Sequence, residues 1–370
     1  MSRFGRKGRV FFVEEPIRSD GERRIEVSER GDGVYLCRPM LENTDLASVD
    51  IAMPELIGEM ALEQRIHDYV AWHYTPMMIG WKSLLPPPVA VVYDCMDELT
   101  GFKNAPPELL PRERELFATA DLVFTGGQSL YEAKREQHDA VYAFPSSIDV
   151  GHFAQAMEIG EEVPDQTAIG HPRIGFAGVI DERMDLTLLA AAAELRPDLQ
   201  FVMVGPVVKI GEDALPRREN IHYLGQRRYE DLPALMAGWD VGMMPFALNE
   251  STRFISPTKT PEYLAAGLPV VSTPITDVVR PYGQLGLAHI ASTSDEFVKA
   301  IDATINEDAE RRRSRVREFL STSSWDTTFE AMLALITAAV WDRSLAQEPA
   351  DAAETRGVET SSLVSTQSGS

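Results

Sequence analysis

From Arg173 onward, short apolar runs alternate with stretches of helical periodicity, and this alternation limits the possible folds more than any other feature of the chain. Short apolar runs with few charges are typical of strands that are buried on both faces. Strands that alternate with helices form a parallel, doubly wound sheet. The strands predicted for this half are Arg173–Ala177, Gln200–Val204, Ile221–Leu224, Asp240–Met244, Pro269–Thr273 and Leu287–Ala291.

The first half of the chain shows similar runs, again separated by helical or loop segments. With 370 residues, the chain is long enough for two domains that each have their own core. The predicted fold class is therefore α/β, with two Rossmann-like, doubly wound domains. The strands predicted for this half are Arg9–Val13, Val34–Arg38, Tyr69–Tyr74, Val89–Asp94, Leu122–Thr125 and Val141–Phe144.

Composition predicts where the domains begin and end. The stretch 155–171 is acidic and poor in apolar residues, so we interpret it as a linker between an N-terminal domain over 1–154 and a C-terminal domain over 172–323. A further helix is predicted over about 324–344. The tail 345–370 has few large apolar residues and cannot bury enough surface to order, which predicts disorder.

The charge balance argues against nucleic acid as a partner. The chain has 57 acidic and 35 basic residues and a net charge of −22, whereas phosphate backbones need a basic face. A local exception is the basic cluster near the N-terminus, which either contacts anionic lipid headgroups or is a solvated terminus. This cluster consists of Arg3, Arg6, Lys7 and Arg9.

The chain shows no sign of a membrane span or a metal site. No apolar run approaches the roughly 18 residues that cross a bilayer, and the first residues lack the apolar core of a signal peptide. The predicted location is the cytoplasm. Cys37 and Cys95 lie in or just after apolar strands, which predicts buried free thiols. No Cys/His spacing indicates metal binding.

The loop and helix after the strand Val241–Phe246 have the features of a phosphate site. Thr258 is predicted to cap a helix that carries Lys259 and Glu262. Backbone N–H groups of the first turn, together with Lys259, would attract an anion. Glu262 lies one turn further on, where a carboxylate can accept hydrogen bonds from the two hydroxyls of a ribose. The segment therefore suits a nucleoside diphosphate, or it is an ordinary helix start with solvated charges.

The order of these residues resembles the donor-binding region of GT-B glycosyltransferases, in particular bacterial enzymes related to the retaining family 4. The resemblance implies two Rossmann-like domains that face a cleft, a nucleotide-diphosphate sugar as donor, no cofactor and no metal. It also implies that the last helix crosses back onto the first domain. The segments that carry it are Asn249-Glu250-Ser251-Thr252, Pro257-Thr258-Lys259-Thr260-Pro261-Glu262-Tyr263 and Gly267-Leu268-Pro269-Val270-Val271-Ser272-Thr273-Pro274.

The resemblance also implies roles for residues in the loops that follow the strands. Family 4 usually has an Arg and a Lys in the first of these loops, and only Arg183 is present here. It usually has two glutamates seven residues apart, but counting back from Glu262 reaches Phe254, so Glu250 would act from a longer loop. The implied catalytic residues are Glu250, Arg183 and Lys259. The implied donor-binding residues are Gly178, Gly205, Gly225, Gln226, Thr258, Lys259, Thr260 and Glu262.

Polar residues at two strand ends of the first half are candidates for the acceptor side. His73 ends one predicted strand, and Asp94 and Asp97 lie at the end of the next. In a doubly wound sheet these ends face the ligand, although each residue could also serve as a strand-end cap. The apolar segment from Met77 to Leu85 either contacts a lipid-linked acceptor or packs in the core.

One departure from the family concerns the first domain. Family members usually open with an apolar strand and a helix before a segment like Gly8–Pro16, and this sequence begins almost at that segment. The missing strand is central in a doubly wound sheet, so its loss would leave two unpaired strand edges. The hypotheses are a longer natural protein, a truncated form or a rearranged sheet, and a partner chain could also complete the sheet.

The leading interpretation is a glycosyltransferase that moves a sugar onto a cell-envelope or polysaccharide acceptor with retention. It would work in the cytoplasm, with peripheral contact at the inner face of the membrane left open. The implied partners are the nucleotide-sugar donor and a saccharide or lipid-linked acceptor. Two alternatives remain, namely a catalytically inactive donor-binding subunit of a transferase complex and a non-hydrolysing sugar-nucleotide epimerase.

Overall fold

The computed structural model describes residues 1–82, 85–102, 105–160 and 163–347, which form two compact units. The first unit takes Met1–Asp94, Pro111–Val123 and the chain from Phe329 onward, and the second takes Cys95–Leu110 and Phe124–Thr328. The domain boundaries predicted at residues 154 and 171 stay a prediction. Of the tail predicted over 345–370, residues 345–347 continue the last helix, and the remainder lies outside the described residues.

The strands and helices follow the predicted alternation closely. The strands are β1 (Val10–Val13), β2 (Ile17–Arg18), β3 (Arg24–Glu29), β4 (Val34–Leu41), β5 (Val70–His73), β6 (Ala90–Cys95), β7 (Leu122–Thr125), β8 (Val141–Ala143), β9 (Arg173–Ala177), β10 (Gln200–Val204), β11 (Ile221–Gly225), β12 (Val241–Met244), β13 (Val270–Ser272) and β14 (His289–Ile290). The helices are α1 (Ser2–Gly5), α2 (Leu46–Glu63), α3 (Leu109–Thr119), α4 (Gln128–Lys134), α5 (Val150–Ala154), α6 (Leu186–Leu195), α7 (Leu232–Ala237), α8 (Lys259–Ala265), α9 (Thr276–Val278), α10 (Ser294–Ile305), α11 (Ala309–Leu320) and α12 (Trp325–Gln347).

The second unit contains a parallel sheet with the order β11-β10-β9-β12-β13-β14, and the strands predicted for this half are confirmed. Alternate side chains of β10 enter two separate cores, since Phe201 and Met203 pack on one side and Val202 and Val204 on the other. Helices α6 and α10 contribute to the first core, and α5, α7 and α8 contribute to the second. Burial on both faces explains why these strands read as continuous apolar runs.

Part of the predicted linker packs into the second unit. Gln166 is buried, and its side-chain oxygen accepts a hydrogen bond from Trp239 Nε1 at 2.7 Å. Arg173, also buried, donates to the carbonyl oxygens of Gln166 at 2.8 Å and Ile169 at 2.9 Å. A buried guanidinium is tolerated because carbonyl oxygens satisfy its donors. These bonds fix the chain that leads into β9.

The first unit holds two groups of strands. Strand β4 pairs in parallel with β1 and β2 and antiparallel with β3, and β5 pairs in parallel with β6. Strands β1 and β5 each lie at the end of a sheet, so within the described residues each pairs along one edge only.

Strand β3 is a feature that the parallel prediction missed. It forms a hairpin with β4 through a turn in which Gly31, Asp32 and Gly33 all have positive φ. Its residues alternate between exposed and partly buried positions, and Arg24, Glu26 and Glu29 are charged. This alternation, together with the Asp-Gly turn, is the usual pattern of a half-exposed hairpin. The apolar-run criterion could not find it because the strand has only one buried face.

The segments considered for membrane contact take part in the folded unit. Ile79 and Trp81 are buried, which confirms core packing for them, whereas Leu84 lies outside the described residues. Arg6 pairs with Asp32 at 3.1 Å, and Arg9 donates to the carbonyl oxygen of Gln64 at 2.6 Å. Over the ranges that the structure describes, no helix combines the length and the apolar character that a membrane span requires.

The prediction for the cysteines is confirmed. Cys37 and Cys95 are both buried free thiols. Burial raises the pKa of the Cys37 thiol to about 11, so this thiol stays protonated at neutral pH.

Candidate donor site

Three loops of the second unit meet at the carboxyl ends of β9, β10 and β11. The amide of Gly178 donates to the carbonyl oxygen of Val204 at 2.9 Å, and the amide of Gly205 donates to that of Gly225 at 2.9 Å. A Cβ placed on Gly205 would lie 1.8 Å from the carbonyl oxygen of Gly178, and Gly205 has a φ of +146°. The three predicted glycines are therefore neighbours, and they leave backbone accessible where side chains would block a ligand.

The loops after β9 and β12 are joined beside these glycines. The amide of Asp185 donates to the carbonyl oxygen of Pro245 at 2.8 Å, and the amide of Ala247 donates to that of Arg183 at 2.8 Å. Strands β9 and β12 are neighbours in the sheet, and the strand order reverses between them. Ligands of open parallel sheets bind at such a reversal, outside the carboxyl ends of the strands.

Lys259 enters this crevice from the first turn of α8. A Cβ placed on Gly178 would lie 3.5 Å from Lys259 Cε, so the lysine side chain passes beside the first glycine loop. Its Nζ is 2.9 Å from Glu262 Oε2, and both side chains are largely enclosed. Thr258 occupies the N-cap position but makes no capping hydrogen bond, because its own backbone is already helical. The predicted cap at Thr258 is wrong.

Tyr263 holds α8 against the sheet, a role that the sequence did not reveal. Its hydroxyl accepts a hydrogen bond from the amide of Ala177 at 2.8 Å, and the residue is completely buried. A Cβ placed on Gly242 would meet its ring at 2.6 Å, so the glycine on β12 makes room for the tyrosine. Lys259 and Glu262 are thereby fixed relative to β9. A tyrosine inside an apolar helix face could have been expected to need a buried partner for its hydroxyl.

Arg183 is less available to a phosphate than its position in the loop predicts. Its Nε lies 3.0 Å from both carboxylate oxygens of Asp181, and its Nη2 lies 2.7 Å from Oδ2. Asp181 is buried. Its hydrogen bonds are the main cause that raises the pKa of the Arg183 guanidinium. Asp181 holds the guanidinium of Arg183 through three contacts, whereas the ammonium of Lys259 has a single carboxylate contact in the described chain, to Glu262.

Asp97 belongs to the same unit as Arg183 and lies within the influence of its charge. Burial raises the pKa of the Asp97 carboxyl, and the charge of Arg183 opposes that rise. The residue is only partly buried, and in the part of the chain that the structure describes its side chain makes no hydrogen bond. A carboxylate in this state can accept a hydrogen bond from a hydroxyl group of a ligand.

The segment that carries Asp97 also lies against two further loops. A Cβ placed on Gly101 would be 3.0 Å from the carbonyl oxygen of Glu250, and Lys209 Nζ lies 5.1 Å from the centre of the Phe102 ring. The loops after β10 and β12 therefore both contact Cys95–Phe102, and Arg183, in the loop after β9, acts on Asp97 through its charge. The structure brings Asp97 together with the donor-side residues.

Other predicted site residues lie apart from this arrangement or are engaged elsewhere. The Glu250 side chain is 79% exposed and lies 3.6 Å from Arg253, so nothing holds it toward the crevice. Thr260 is buried, and its hydroxyl contacts Met244 Sδ at 3.5 Å. Gln226 is exposed in the loop after β11. Their assigned roles stay predictions.

His73 and Asp94 belong to the first unit. His73 is the last residue of β5 and is paired in register with Tyr93, so it lies next to Asp94 across the sheet. Asp94 is buried, and one of its oxygens accepts a hydrogen bond from Trp72 Nε1 at 3.1 Å. The two residues lie together at the carboxyl ends of β5 and β6, and their acceptor role stays a prediction.

Asp94 should make the stability of the protein depend on pH. Burial raises the pKa of its carboxyl from 3.8 to about 6, and the hydrogen bond from Trp72 opposes this rise. The folded protein holds the proton more tightly than the unfolded chain does. The resulting stabilisation is therefore complete below pH 3.8 and lost as the pH rises through about 6. We expect Asp94→Asn, which can keep the Trp72 bond, to be more stable than the wild type by up to about 3 kcal/mol above this range.

Urea unfolding of both proteins across this pH range measures the effect. The free energy of unfolding of the wild type should fall as the pH rises, relative to that of Asp94→Asn. Asp68→Asn, which changes an exposed aspartate of the same unit, should follow the wild type. Parallel pH profiles for the wild type and Asp94→Asn would contradict a buried, protonated carboxyl.

The second half of the chain matches a known family. Residues 171–307 match the family model described as glycosyl transferases group 1. The putative teichuronic acid biosynthesis glycosyltransferase TuaH of Bacillus subtilis (strain 168) is 23% identical over 260 residues. This match covers 66% of the chain and 66% of the relative, which is just under two thirds of the relative's length.

Solved structures match most of the chain. Sucrose-phosphate synthase from Thermosynechococcus elongatus is similar with a TM-score of 0.68 and 14% identity, over 91% of this chain and 90% of that chain. HepE of Anabaena, in complex with UDP and glucose, is similar with a TM-score of 0.60 and 15% identity, over 83% of this chain and 87% of that chain. At these identities the likeness shows the fold, and the predicted α/β class of the GT-B type is confirmed.

Proposed function

We propose, on the premise that the chain is a glycosyltransferase with the GT-B fold, that it transfers a sugar from a nucleotide-diphosphate donor to a cell-envelope polysaccharide or its lipid-linked precursor. The observation that carries the proposal is the position of Lys259 beside Gly178, where the three glycine loops meet. The diphosphate lies at this point, and no further cofactor or metal takes part.

Charge and backbone geometry support the donor end of this proposal. The glycine loops expose backbone to a ligand, and Lys259 supplies a positive charge that only Glu262 balances among the described residues. A diphosphate that binds there competes with Glu262 for the ammonium group. Glu262 is then available to accept hydrogen bonds from the two ribose hydroxyls. Helix α8 has only seven residues, so Lys259 itself provides most of the positive charge.

The reaction breaks the bond between the anomeric carbon and the diphosphate oxygen and forms a bond from that carbon to an acceptor hydroxyl oxygen. Negative charge develops on the departing diphosphate, and Lys259 stabilises it. We propose retention of the anomeric configuration, in which the donor phosphate accepts the proton of the acceptor hydroxyl. NMR of the product's anomeric proton tests this assignment, since inversion would contradict it.

The acceptor assignment is supported by the relatives and by Asp97. The relative TuaH is named for teichuronic acid biosynthesis, which supports a cell-envelope acceptor, whereas the UDP and glucose in the HepE structure support a nucleotide-sugar donor. We assign to Asp97 the acceptor hydroxyl that lies nearest the reacting carbon, because its segment contacts the loops after β10 and β12 and its carboxyl is influenced by the charge of Arg183. The enzyme acts in the cytoplasm, with its acceptor presented at the inner face of the membrane.

The role of Glu262 can be tested by removing one hydroxyl of the ligand. A hydrogen bond to a charged group contributes about 1.5–3 kcal/mol, so the 2′-deoxy form of the donor's nucleoside diphosphate should bind the wild type at least about tenfold more weakly than the ribose form. In Glu262→Gln this difference should shrink markedly, because the amide is a weaker acceptor than the carboxylate. Calorimetry of the two ligands with the two proteins gives the four affinities.

The two ligands are compared on the same protein. Any change that Glu262→Gln causes around Lys259 therefore affects both affinities and cancels in their ratio. Glu296→Gln, which changes a glutamate on α10, serves as the matched control and should keep the wild-type difference. The same penalty for the 2′-deoxy ligand in the wild type and in Glu262→Gln would remove Glu262 from the ribose site.

A further inference from the structure

We propose that the exposed face of Tyr229 is the surface on which the nucleobase of the donor stacks. This inference rests on the proposed function, because it assigns the remaining part of the same donor site. Tyr229 lies four residues beyond Gly225, the last residue of β11, and 48% of its surface is exposed. An aromatic ring that stays so exposed beside a glycine loop is available to a planar ligand.

The ring of Tyr229 is held in place by two other aromatic side chains. His152 stacks on it with a centroid distance of 4.3 Å and an interplanar angle of 11°, and His152 Nε2 is 3.1 Å from the Tyr229 carbonyl oxygen. Phe153 meets both rings edge-on, at 4.9 Å from His152 and 5.6 Å from Tyr229. His152 covers one face of the Tyr229 ring, and 48% of the residue's surface stays exposed beside this contact. We call the packed rings of Tyr229, His152 and Phe153 the aromatic platform. Because the platform is formed before any ligand binds, less side-chain entropy is lost when a ligand stacks on it.

The platform lies near Glu262, the residue to which the proposed function assigns the ribose. Helix α5, which carries His152 and Phe153, shares a core with α8, which carries Glu262. Burial is the main cause that raises the pKa of the Tyr229 phenol, and the charges of Glu262 and Asp149 add to it. The electrostatic influence of Glu262 on the phenol and the shared core of α5 and α8 both link the platform to the helix that carries Glu262.

The chemistry of a nucleotide fits this order. The diphosphate and the base leave the ribose at opposite ends of the sugar ring. With the diphosphate at Lys259 and the ribose at Glu262, the base points away from Lys259 and can reach Tyr229.

The cations of the same loop are already paired, which leaves the aromatic face to bind an uncharged base. Arg227 pairs with Asp165, and Arg228 pairs with Asp231 at 2.9 Å. Stacking tolerates any base, because every base has a π face. Tyr229 therefore determines how tightly the base is held, and the choice between bases depends on polar groups around the platform.

Two ligands, one with and one without the nucleobase, distinguish the loss of a contact to the base from a structural change of the whole donor site. One is the nucleoside diphosphate that the wild type binds, and the other is ribose 5-diphosphate, which lacks the base. Stacking on an aromatic side chain is expected to account for about tenfold or more in affinity. Tyr229→Ala and Tyr229→Leu should both lose that factor for the nucleoside diphosphate and keep the wild-type affinity for ribose 5-diphosphate. Tyr229→Phe should bind both probes as the wild type does.

Calorimetry of the full chain gives these affinities, and thermal unfolding with circular dichroism checks that each variant is folded. Equal affinities of the wild type and Tyr229→Leu for the nucleoside diphosphate would overturn the proposal. Equal losses for both probes would also overturn it, since they would indicate a structural role. Failure of the proposed function looks different, because the wild type itself would then bind neither probe. In turnover, Tyr229→Ala and Tyr229→Leu should raise KM, whereas Tyr229→Phe should keep the wild-type KM.

Discussion

Lys259→Ala is expected to lower the rate of sugar transfer by about 10²- to 10³-fold, which is the usual effect of removing one group that stabilises the charge of a leaving group. It should also weaken binding of the nucleoside diphosphate by about tenfold or more, because a charge-assisted contact is lost. The lysine passes beside Gly178 and has a single carboxylate partner in the described chain, Glu262, at 2.9 Å. Arg183 cannot replace it, because Asp181 holds the guanidinium through three contacts. Calorimetry and a transfer assay on the same preparation measure both effects.

The substitution leaves the enclosed carboxylate of Glu262 without its partner, so a loss of stability must be separated from a loss of function. The double variant Lys259→Ala/Glu262→Gln removes the unpaired charge, and it should regain stability without regaining donor affinity. Lys299→Ala, on the exposed side of α10, is the matched control and should behave as the wild type. Wild-type donor affinity in a folded Lys259→Ala protein would refute the diphosphate site.

Gly205→Ala is expected to be the most damaging small substitution in the second unit. The added methyl group would lie 1.8 Å from the Gly178 carbonyl oxygen, and the backbone has a φ of +146°, which alanine rarely adopts. Backbone strain and overpacking each cost about 1–3 kcal/mol, so the free energy of unfolding should fall by about 3 kcal/mol or more. Urea unfolding measures this change, and failure to accumulate as folded protein would agree with it.

Gly170→Ala provides the control for a methyl group added to the same unit. A Cβ on Gly170 meets no atom within 4 Å, so this variant should unfold like the wild type. If Gly205→Ala were as stable as Gly170→Ala, the close contact between the loops after β9 and β10 would be wrong. The donor site would then need a different geometry.

Much of the second unit could be predicted because its strands are buried on both faces. Phe201 and Val202 point into different cores, so β10 has no exposed face and appears in the sequence as a plain apolar run. Strand β3 was not predicted, because charged residues such as Arg24 and Glu26 alternate with its half-buried positions. A search for apolar runs finds the first kind of strand and passes over the second.

The donor-site glycines were predictable, whereas the pairing of charges was not. Gly178, Gly205 and Gly225 lie at strand ends in the sequence, and parallel strands bring such ends together. The sequence could not show that Asp181 would bind Arg183, because a carboxylate two residues away makes such contacts only when the loop folds back. The predicted cap at Thr258 failed for a similar reason, since capping needs extended backbone and Thr258 is helical.

The aromatic platform shows a third kind of limit. Tyr229 and His152 are far apart in the sequence, and their stacking depends on how α5 packs against the loop after β11. Neither residue belongs to a pattern that the sequence analysis could recognise. Tertiary contacts between single side chains of this kind become visible only in the structure.

The most direct test of the central claim is phosphorus-31 NMR of the purified full chain with a panel of nucleotide-diphosphate sugars and cell-envelope polysaccharide as acceptor. The account predicts that at least one donor is converted to free nucleoside diphosphate in the presence of acceptor, and that Lys259→Ala loses this conversion while Lys299→Ala retains it. A folded wild-type protein that converts none of the donors, or a Lys259→Ala variant that converts a donor at the wild-type rate, would contradict the account.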